Sequence, residues 1–180
     1  MNLTLIVVCA ALLIGCAAPL TSATSGQAPV TLTNVTVADG DTLRATVGGA
    51  RERIRIVGID AAEVARDPSP AECWSTEAGV ALGELLEGRP VLAFSVDDVD
   101  DRDRYDRLLR QVNVAGQDVA EYLLEQGHAT SFRALENHQL SRYYLDLERA
   151  AEQRQRGLWG ACDTARGNGP RGLTSKGTDG

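Results

Sequence analysis

Residues 39–63 contain acidic side chains and an arginine, Arg55, at spacings that could bring them together. Asp41 starts one run of alternating apolar and polar residues, and Asp60 follows a second such run. The runs are joined by Gly48-Gly49, and a double glycine between alternating runs predicts a β-hairpin. Because a hairpin brings the free ends of its two strands together, we expect the Asp41 and Asp60 carboxylates to lie close to each other.

These side chains are of the types that bind a cation. Asp41, Asp60 and Glu63 would repel one another if brought together, and a positive charge would relieve that repulsion. Arg55, on the second run, supplies one such charge. The candidate ligands are oxygens without His or Cys, which favours a hard divalent ion, Ca²⁺ before Mg²⁺. The structural alternative is that Asp39-Gly40 is an ordinary turn, since Asp-Gly by itself predicts no chemistry.

Composition narrows the class of protein. The chain has 180 residues, of which 43% are hydrophobic and 4% aromatic, and its net charge is −7. This length allows one domain with a core and short extensions. The negative charge argues against a sequence-reading DNA-binding protein but is compatible with an enzyme that has a locally basic cleft. Lys176 is the only lysine, and the arginines that carry the remaining positive charge suit bidentate contact with phosphate.

The N-terminal residues predict export. Residues 1–15 carry no charged side chain, and their apolar core is too short to span a bilayer but has the length of a signal peptide. Leu13 to Cys16 resembles a lipobox, where bacterial lipoproteins are cut before a cysteine that receives lipid. We expect a lipid anchor on Cys16, with residues 16–28 as a flexible tether. Ordinary secretion, with cleavage near Ala18 or Ala23, is the alternative.

Residues 29–162 carry the patterns of one folded domain. Besides the hairpin, strands are predicted over residues 30–38 (with a bulge), 90–96 and 108–114, and helices over 74–86, 117–126 and 137–156. This order predicts an α+β, mainly β fold, a five-stranded OB-type Greek-key barrel with about three helices. Residues 163–180 are Gly-rich and lack a hydrophobic pattern, which predicts a disordered tail.

The cysteines divide into two pairs by position. Cys9 lies in the apolar leader and Cys16 at the lipid position, which leaves Cys73 and Cys162 in the domain. In an exported domain, two such cysteines predict one disulfide, here closing a long loop between the first helix and the C-terminal end. Two free buried thiols are the alternative.

A second charged motif makes the sequence resemble a known family. Asp103-Arg104-Tyr105-Asp106-Arg107 precedes the last strand of the predicted barrel. Together with Asp39-Gly40-Asp41-Thr42, Arg55 and Asp60-Ala61-Ala62-Glu63, it resembles the thermonuclease family, the staphylococcal nuclease-like domains. The spacings between these motifs and the closing Gly157-Leu158-Trp159 are also similar to that family, and the resemblance covers about residues 30–161.

The resemblance implies a Ca²⁺-dependent phosphodiesterase or endonuclease. Its substrates would be single-stranded or frayed DNA and RNA, its products would carry 3′-phosphate and 5′-hydroxyl ends, and we expect a monomer. It implies that Asp41 and Asp60 ligate Ca²⁺ through their carboxylates and Ala61 through its backbone carbonyl. A non-catalytic OB-type module that binds nucleic acid or a protein is the alternative.

The resemblance also assigns roles in the reaction. Glu63 corresponds to the general base, Arg55 and Arg107 to two arginines that stabilise the phosphorane, and Tyr105 to a tyrosine near the nucleotide. Phosphodiester hydrolysis needs an activated water and stabilisation of a doubly charged pentacovalent centre, which one metal and two guanidiniums supply. His128 and His138, by contrast, are interpreted as structural or surface residues.

Three positions depart from the family pattern. Ala61-Ala62 replaces the family's Thr-Pro, and loss of the proline would loosen the turn that aims Glu63. Asp106 replaces a glycine and adds a negative charge beside Arg107, although Asp tolerates a positive φ better than most residues. Phe132 is the only large aromatic residue in the segment where the family carries tyrosines, so we expect weaker base stacking.

Overall fold

The structure is a computed structural model that describes residues 28–132, 139–163 and 174–175. Alternating apolar residues fold the first part of the domain into three antiparallel strands: β1 (Val30–Val37), β2 (Thr42–Val47) and β3 (Ala50–Ile56). β2 and β3 pair along their whole length around Gly48-Gly49, as the hairpin pattern predicts. The register of β1 against β2 shifts between Thr33 and Thr36, which is the expected bulge.

Two later strands close the barrel. β4 (Ile59–Asp60) is short, whereas β5 (Val91–Phe94) pairs with β1, and β6 (Leu108–Val114) runs antiparallel to β5. β6 also runs parallel to β3, with Leu109 opposite Arg55, and this contact completes a mixed barrel in the order β1-β2-β3-β6-β5. The predicted α+β fold with a five-stranded OB-type barrel is confirmed.

Within the described residues, four helices accompany the barrel, one more than the three predicted. They are α1 (Ser75–Leu86), α2 (Val119–Glu125), α3 (Gln139–Gln153) and α4 (Leu158–Ala161). α4 is the additional short helix, and its Leu158 and Trp159 are buried. Asp118 caps α2 by accepting hydrogen bonds from the backbone N–H groups of Ala120 and Glu121. In these ranges, we find no helix of the length and apolar character needed to cross a membrane.

Short strands fasten the ends of these elements. β7 (Gln117–Asp118) pairs with the end of β6, β8 (Thr130–Ser131) pairs with β4, and β9 (Cys162–Asp163) pairs with β10 (Thr174–Ser175). The Thr130 hydroxyl donates to the carbonyl oxygen of Asp60 at 3.2 Å, which holds the segment after β3 in position. Asp163 of β9 and all of β10 lie in the predicted tail. Residues 164–173 and 176–180 of that tail, residues 1–27, and residues 137–138 of the predicted last helix lie outside the described residues.

Aliphatic side chains fill the barrel and the space beneath the helices. From the strands, the fully buried members include Leu43, Ile54, Ile56, Ile59, Val112 and Val114. From the helices they include Leu82, Leu123, Leu124 and Leu158. Because burial of one such side chain contributes about 1.5–3 kcal/mol, the barrel core is the main support for the strand ends described below.

A disulfide joins the two ends of the helical part. Cys73 and Cys162 are bonded, with their Cα atoms 6.0 Å apart and a separation of 89 positions in sequence. The bond connects the segment before α1 to the end of α4. Trp74 and Trp159 pack beside it in a small second cluster of apolar residues.

Candidate active site

A cavity of about 1110 Å³ lies between the open end of the β2–β3 hairpin and the loop that precedes β6. Its charged lining residues are Asp39, Arg44, Arg53, Arg55, Asp60, Glu63, Arg66, Asp98, Asp100, Asp103, Arg104 and Arg107. Arginines and carboxylates therefore occur in equal numbers here, although the chain as a whole has a net charge of −7. The lining of the cavity is therefore balanced in formal charge, less negative than the chain as a whole but not basic.

Arg55 lies between two carboxylates. Its Nη2 is 3.2 Å from Asp41 Oδ2 and 2.9 Å from Asp60 Oδ1, and its Nη1 donates to the Ile56 carbonyl oxygen at 2.8 Å. The pairing of Thr42 with Arg55 across the hairpin explains this arrangement, because it sets Asp41 beside β3. The hairpin thus brings both aspartates to the same guanidinium nitrogen.

Asp41 is a buried carboxylate, with a relative exposure of 5%. Burial raises the pKa of Asp41 to about 7, against the opposing effect of the Arg55 guanidinium. The Asp41 Oδ1 accepts a hydrogen bond from the Thr42 hydroxyl, and Oδ2 accepts one from the backbone N–H of Ala61, both at 2.9 Å. The second bond fastens the turn after β1 to the segment after β4, which keeps Asp41 and Asp60 together.

The donors that Asp41 and Asp60 offer at this point are oxygens, the type that a hard cation would use. In the structure, the positively charged guanidinium of Arg55 lies between the Asp41 and Asp60 carboxylates, with Nη2 in contact with both. Across the described ranges, no group of three or more His, Cys, Asp or Glu side chains is gathered closely enough to hold a metal ion. Further ligands would have to be backbone carbonyls, such as that of Ala61, and water. Ca²⁺ accepts mixed shells of this kind, with about six to eight oxygens.

Glu63 stands at the rim of the cavity with its side chain 53% exposed. Its Oε2 is 3.3 Å from Arg66 Nη2, and the same nitrogen is 3.2 Å from Asp39 Oδ2. The Glu63 backbone N–H donates to Glu72 Oε2, and its carbonyl oxygen accepts from the Glu72 N–H, both at 2.9 Å. The turn at Ala61-Ala62, which lacks the family's proline, is therefore followed by a residue, Glu63, whose N–H and carbonyl groups are both hydrogen-bonded to Glu72. Sequence reasoning missed Arg66, and its three-residue spacing from Glu63 is the signal that points to it.

The loop before β6 directs Arg107 into the cavity. Asp103 Oδ1 accepts from the backbone N–H groups of Tyr105 and Arg107 at 2.9 Å, and Oδ2 accepts from Arg107 Nε at 2.7 Å. Although burial acts in the opposite direction, these hydrogen bonds hold the pKa of Asp103 below its usual range. Arg107 Nη1 also donates to the Thr42 hydroxyl at 3.3 Å, which joins the loop to the start of β2.

Two aromatic rings at this cavity lie close to guanidinium groups. Tyr105 is 53% exposed, and the guanidinium carbons of Arg104 and Arg107 are 4.7 Å and 5.6 Å from its ring centroid. Phe132 is 42% exposed and lies 5.8 Å from the guanidinium carbon of Arg55. Both rings are accessible to a stacking partner such as a nucleobase.

Asp106 adopts the left-handed conformation, with φ of 61°. This is the backbone conformation that favours glycine, the residue that the family carries at this position. The Asp106 carboxylate lies 3.4 Å from Arg102 Nη1, so its ion-pair partner is Arg102. Asp103 is the carboxylate that pairs with Arg107.

His128 packs among aromatic rings beneath the helices. Its Nδ1 accepts a hydrogen bond from Trp74 Nε1 at 3.0 Å, and its ring stacks with those of Trp74 and Tyr122. It does not line the cavity. His138 lies outside the described residues.

His128 is expected to reduce stability at mildly acidic pH, while the raised pKa of Asp41 acts in the opposite direction. Burial lowers its pKa, although Glu77 and Glu84 act in the opposite direction. Since the pKa is lower in the folded state, the unfolded chain takes up the proton first, and stability is lost as the pH falls through about 6.5. On going from pH 8 to pH 5.5, His128→Gln should lose less stability, or gain more, than the wild-type protein in urea unfolding. Equal changes in the two proteins would contradict this assignment.

Gly40 is the point where the site touches α1. A Cβ added there would lie 2.6 Å from the Ala61 Cβ and 2.7 Å from the Ala78 Cβ. Gly40→Ala is therefore expected to destabilise the protein by about 1–3 kcal/mol through overpacking. The matched control is Gly79→Ala, whose Cβ meets nothing within 4 Å and should stabilise α1 by about 0.5–1 kcal/mol. Chemical denaturation of both variants tests this, and a Gly40→Ala protein as stable as wild type would refute it.

The fold and the site together define a class of protein. It is an OB-type barrel whose hairpin carries an arginine between two carboxylates, with a second arginine supplied by the loop before the last barrel strand. Residues 53–161, more than half of the chain, match the family described as Staphylococcal nuclease homologue. The chain belongs to this family.

Similar proteins carry endonuclease names. The chain is 33% identical over 126 residues to Endonuclease YncB of Bacillus subtilis (strain 168), which covers 68% of this chain and 57% of that protein. It is 32% identical over 130 residues to an Uncharacterized endonuclease of Escherichia coli O157:H7, covering 72% of this chain and 76% of that protein. Probable endonuclease lcl3 of Botryotinia fuckeliana (strain B05.10) is 32% identical over 113 residues, covering 59% and 41%. The matched region thus spans about half the length of the YncB and lcl3 proteins.

Proposed function

We propose that this protein is a Ca²⁺-dependent nuclease that hydrolyses phosphodiester bonds within DNA and RNA. The observation that carries the proposal is the convergence of two guanidiniums and an exposed carboxylate, those of Arg55, Arg107 and Glu63, on one cavity. Membership of the staphylococcal nuclease homologue family and the endonuclease names of similar proteins support it. All of these groups come from one chain, so we propose that a monomer suffices.

The two arginines suit the charge that develops during hydrolysis. As a water oxygen attacks phosphorus, the pentacovalent centre gains a second negative charge, and the bond from phosphorus to the 5′ oxygen then breaks. Arg55 and Arg107 would donate to the phosphoryl oxygens of this centre, where preorganised donors have their greatest effect. Arg107 is preorganised by Asp103 and Thr42, whereas Arg55 would exchange its contacts with Asp41 and Asp60 for the phosphate when the ion binds. The products would carry 3′-phosphate and 5′-hydroxyl ends.

Glu63 is suited to accept the proton of the attacking water. Its side chain is exposed at the cavity rim, so that water reaches it, and its backbone is held on both sides by Glu72. A carboxylate in reach of the nucleophilic water acts as a general base. In the structure this carboxylate forms an ion pair with Arg66 at the cavity.

Asp41 and Asp60 would hold Ca²⁺ together with the backbone carbonyl of Ala61. When bound there, the ion would neutralise charge on a phosphate oxygen and so favour attack at phosphorus. The buried Asp41, whose hydrogen bonds fasten two segments of the site, would also couple ion binding to the stability of the fold.

Cleavage of single-stranded DNA tests the proposed function. The full chain is incubated with a 5′-labelled oligonucleotide in Ca²⁺ or in a chelator, beside Glu63→Gln. We expect internal cleavage in Ca²⁺ only, its loss in Glu63→Gln, and fragments whose new 5′ ends are phosphorylated directly by a kinase. Cleavage that persists in the chelator would refute the metal dependence. Tight DNA binding without cleavage would instead favour a non-catalytic OB-type binding module.

We also propose that the protein is exported and anchored by lipid on Cys16. The apolar residues 1–15 and the lipobox-like Leu13 to Cys16 support this, and residues 16–28 would separate the domain from the membrane. Metabolic labelling with a palmitate analogue should label the wild-type protein and not Cys16→Ala. An unlabelled wild-type protein, or label that survives the substitution, would exclude the anchor.

A further inference from the structure

A second pair of arginines lies beside the proposed reaction centre. Arg44 on β2 and Arg53 on β3 are directly opposite each other, two residues along the hairpin from the pair Thr42 and Arg55. Side chains two residues apart on a strand point to the same face, so Arg53 shares the face of Arg55. Both Arg44 and Arg53 are exposed, and both line the cavity.

This pair lacks the carboxylate partners that three other arginines of the cavity have. Arg55, Arg66 and Arg107 are each paired with an acidic residue. In the described part of the chain, no carboxylate forms an ion pair with Arg44 or Arg53. Like charges directly opposite each other destabilise a sheet, so the pair has an electrostatic cost that a bound anion would remove.

Arg53 is also held in a defined position. Its Nη2 donates to the carbonyl oxygen of Tyr105, which joins β3 to the loop that carries Arg107. The remaining donors of its guanidinium, and those of Arg44, are available to a ligand in the cavity. Asp98 and Asp100 also line the cavity and would repel an anion, which favours binding on the arginine side.

We propose that Arg44 and Arg53 bind a second phosphate of the nucleic-acid strand, next to the phosphate held by Arg55 and Arg107. Two residues of an antiparallel strand advance about 6.8 Å, a length comparable to one extended nucleotide. Paired guanidiniums suit phosphate because each can donate two parallel hydrogen bonds. The inference rests on the proposed function. If the subsite exists, a strand with several phosphates binds more tightly than a dinucleotide with one phosphate.

Equilibrium binding without hydrolysis tests the subsite. Fluorescence anisotropy of a labelled ten-nucleotide oligothymidylate is measured with the full chain in a chelator at several salt concentrations, with an unlabelled dinucleotide as competitor. Arg44→Gln and Arg53→Gln should each raise the Kd for the long strand about tenfold. Each should also reduce the slope of log Kd against log salt concentration by about 0.7, while the dinucleotide affinity is unchanged.

Arg51→Gln is the matched control. Arg51 lies on the same face of β3, but its guanidinium is held by the Asn34 carbonyl oxygen and the Thr36 hydroxyl, and it does not line the cavity. Equal effects of Arg51→Gln and Arg53→Gln, or equal losses for the long strand and the dinucleotide, would overturn the subsite. Because binding is measured apart from cleavage, a protein that binds as expected but does not hydrolyse DNA would refute the proposed function alone.

Discussion

Arg107→Gln is expected to slow phosphodiester hydrolysis by about 10²–10³-fold, the effect of removing one preorganised donor from a developing negative charge. The Arg107 guanidinium is held by Asp103 at 2.7 Å and by the Thr42 hydroxyl at 3.3 Å, so little reorganisation is needed when substrate binds. Glutamine keeps a polar group at this position but removes the charge. The loss should therefore appear in kcat and kcat/KM with single-stranded DNA in Ca²⁺.

The same loop offers a control for Arg107. Arg102 is also an ion-paired arginine, bonded to Glu52 at 2.9 Å and close to Asp106 at 3.4 Å, but it does not line the cavity. Arg102→Gln should keep kcat near that of wild type. A comparable loss in Arg102→Gln would mean that loop stability, rather than charge at the phosphate, explains the effect. Arg107→Gln with wild-type kcat would remove Arg107 from the mechanism.

Loss of the disulfide is expected to cause the largest change in stability. The Cys73–Cys162 bond spans 89 residues of sequence, and closing a long loop restricts the unfolded chain more than the folded one. Removing such a bond lowers the free energy of unfolding by about 2–4 kcal/mol. We expect guanidinium unfolding of the Cys73→Ala/Cys162→Ala double variant to occur at clearly lower denaturant concentration than unfolding of the oxidised wild type.

A reducing agent supplies the internal control for the disulfide. It should destabilise the wild-type protein towards the double variant and leave the double variant unchanged. Titration of the denatured, unreduced protein should find neither Cys73 nor Cys162 free. Identical unfolding curves of oxidised wild type and double variant would show that the bond has no part in stability.

Local sequence patterns were sufficient to predict the strands of the barrel. Apolar alternation and the Gly48-Gly49 turn act between near neighbours, and both strands of the hairpin lie where the pattern indicates. The ends of α2 were also predictable, because Asp118 and Gly127 flank it and helix caps depend on residues within one turn of the helix end. The fourth helix, α4, was missed because four residues are too few for helical periodicity to be seen.

The proximity of Asp41 and Asp60 followed from the hairpin alone, since strand pairing leaves little freedom at its open end. The sequence did not indicate that Arg55 stands between them with Nη2 close to both. Which nitrogen contacts which oxygen depends on side-chain torsions, and these are decided by burial and by neighbours such as the Ile56 carbonyl oxygen.

Tertiary structure also decided which charges pair. Asp106 is adjacent to Arg107 in sequence but contacts Arg102, and Arg66 joins Glu63 to Asp39. Ion pairs form between side chains that the backbone orients towards each other, and sequence adjacency alone does not determine that orientation.

What the sequence determined by itself was the set of chemical groups and the local elements that carry them: a hairpin with acids at its open end, and a charged loop before the last strand. Only the tertiary structure decided that these become one cavity. The parallel contact of β3 with β6 brings the loop of Arg107 to Thr42, across 65 residues of sequence. That contact depends on closing the barrel around its apolar core, a long-range packing event that no local pattern encodes.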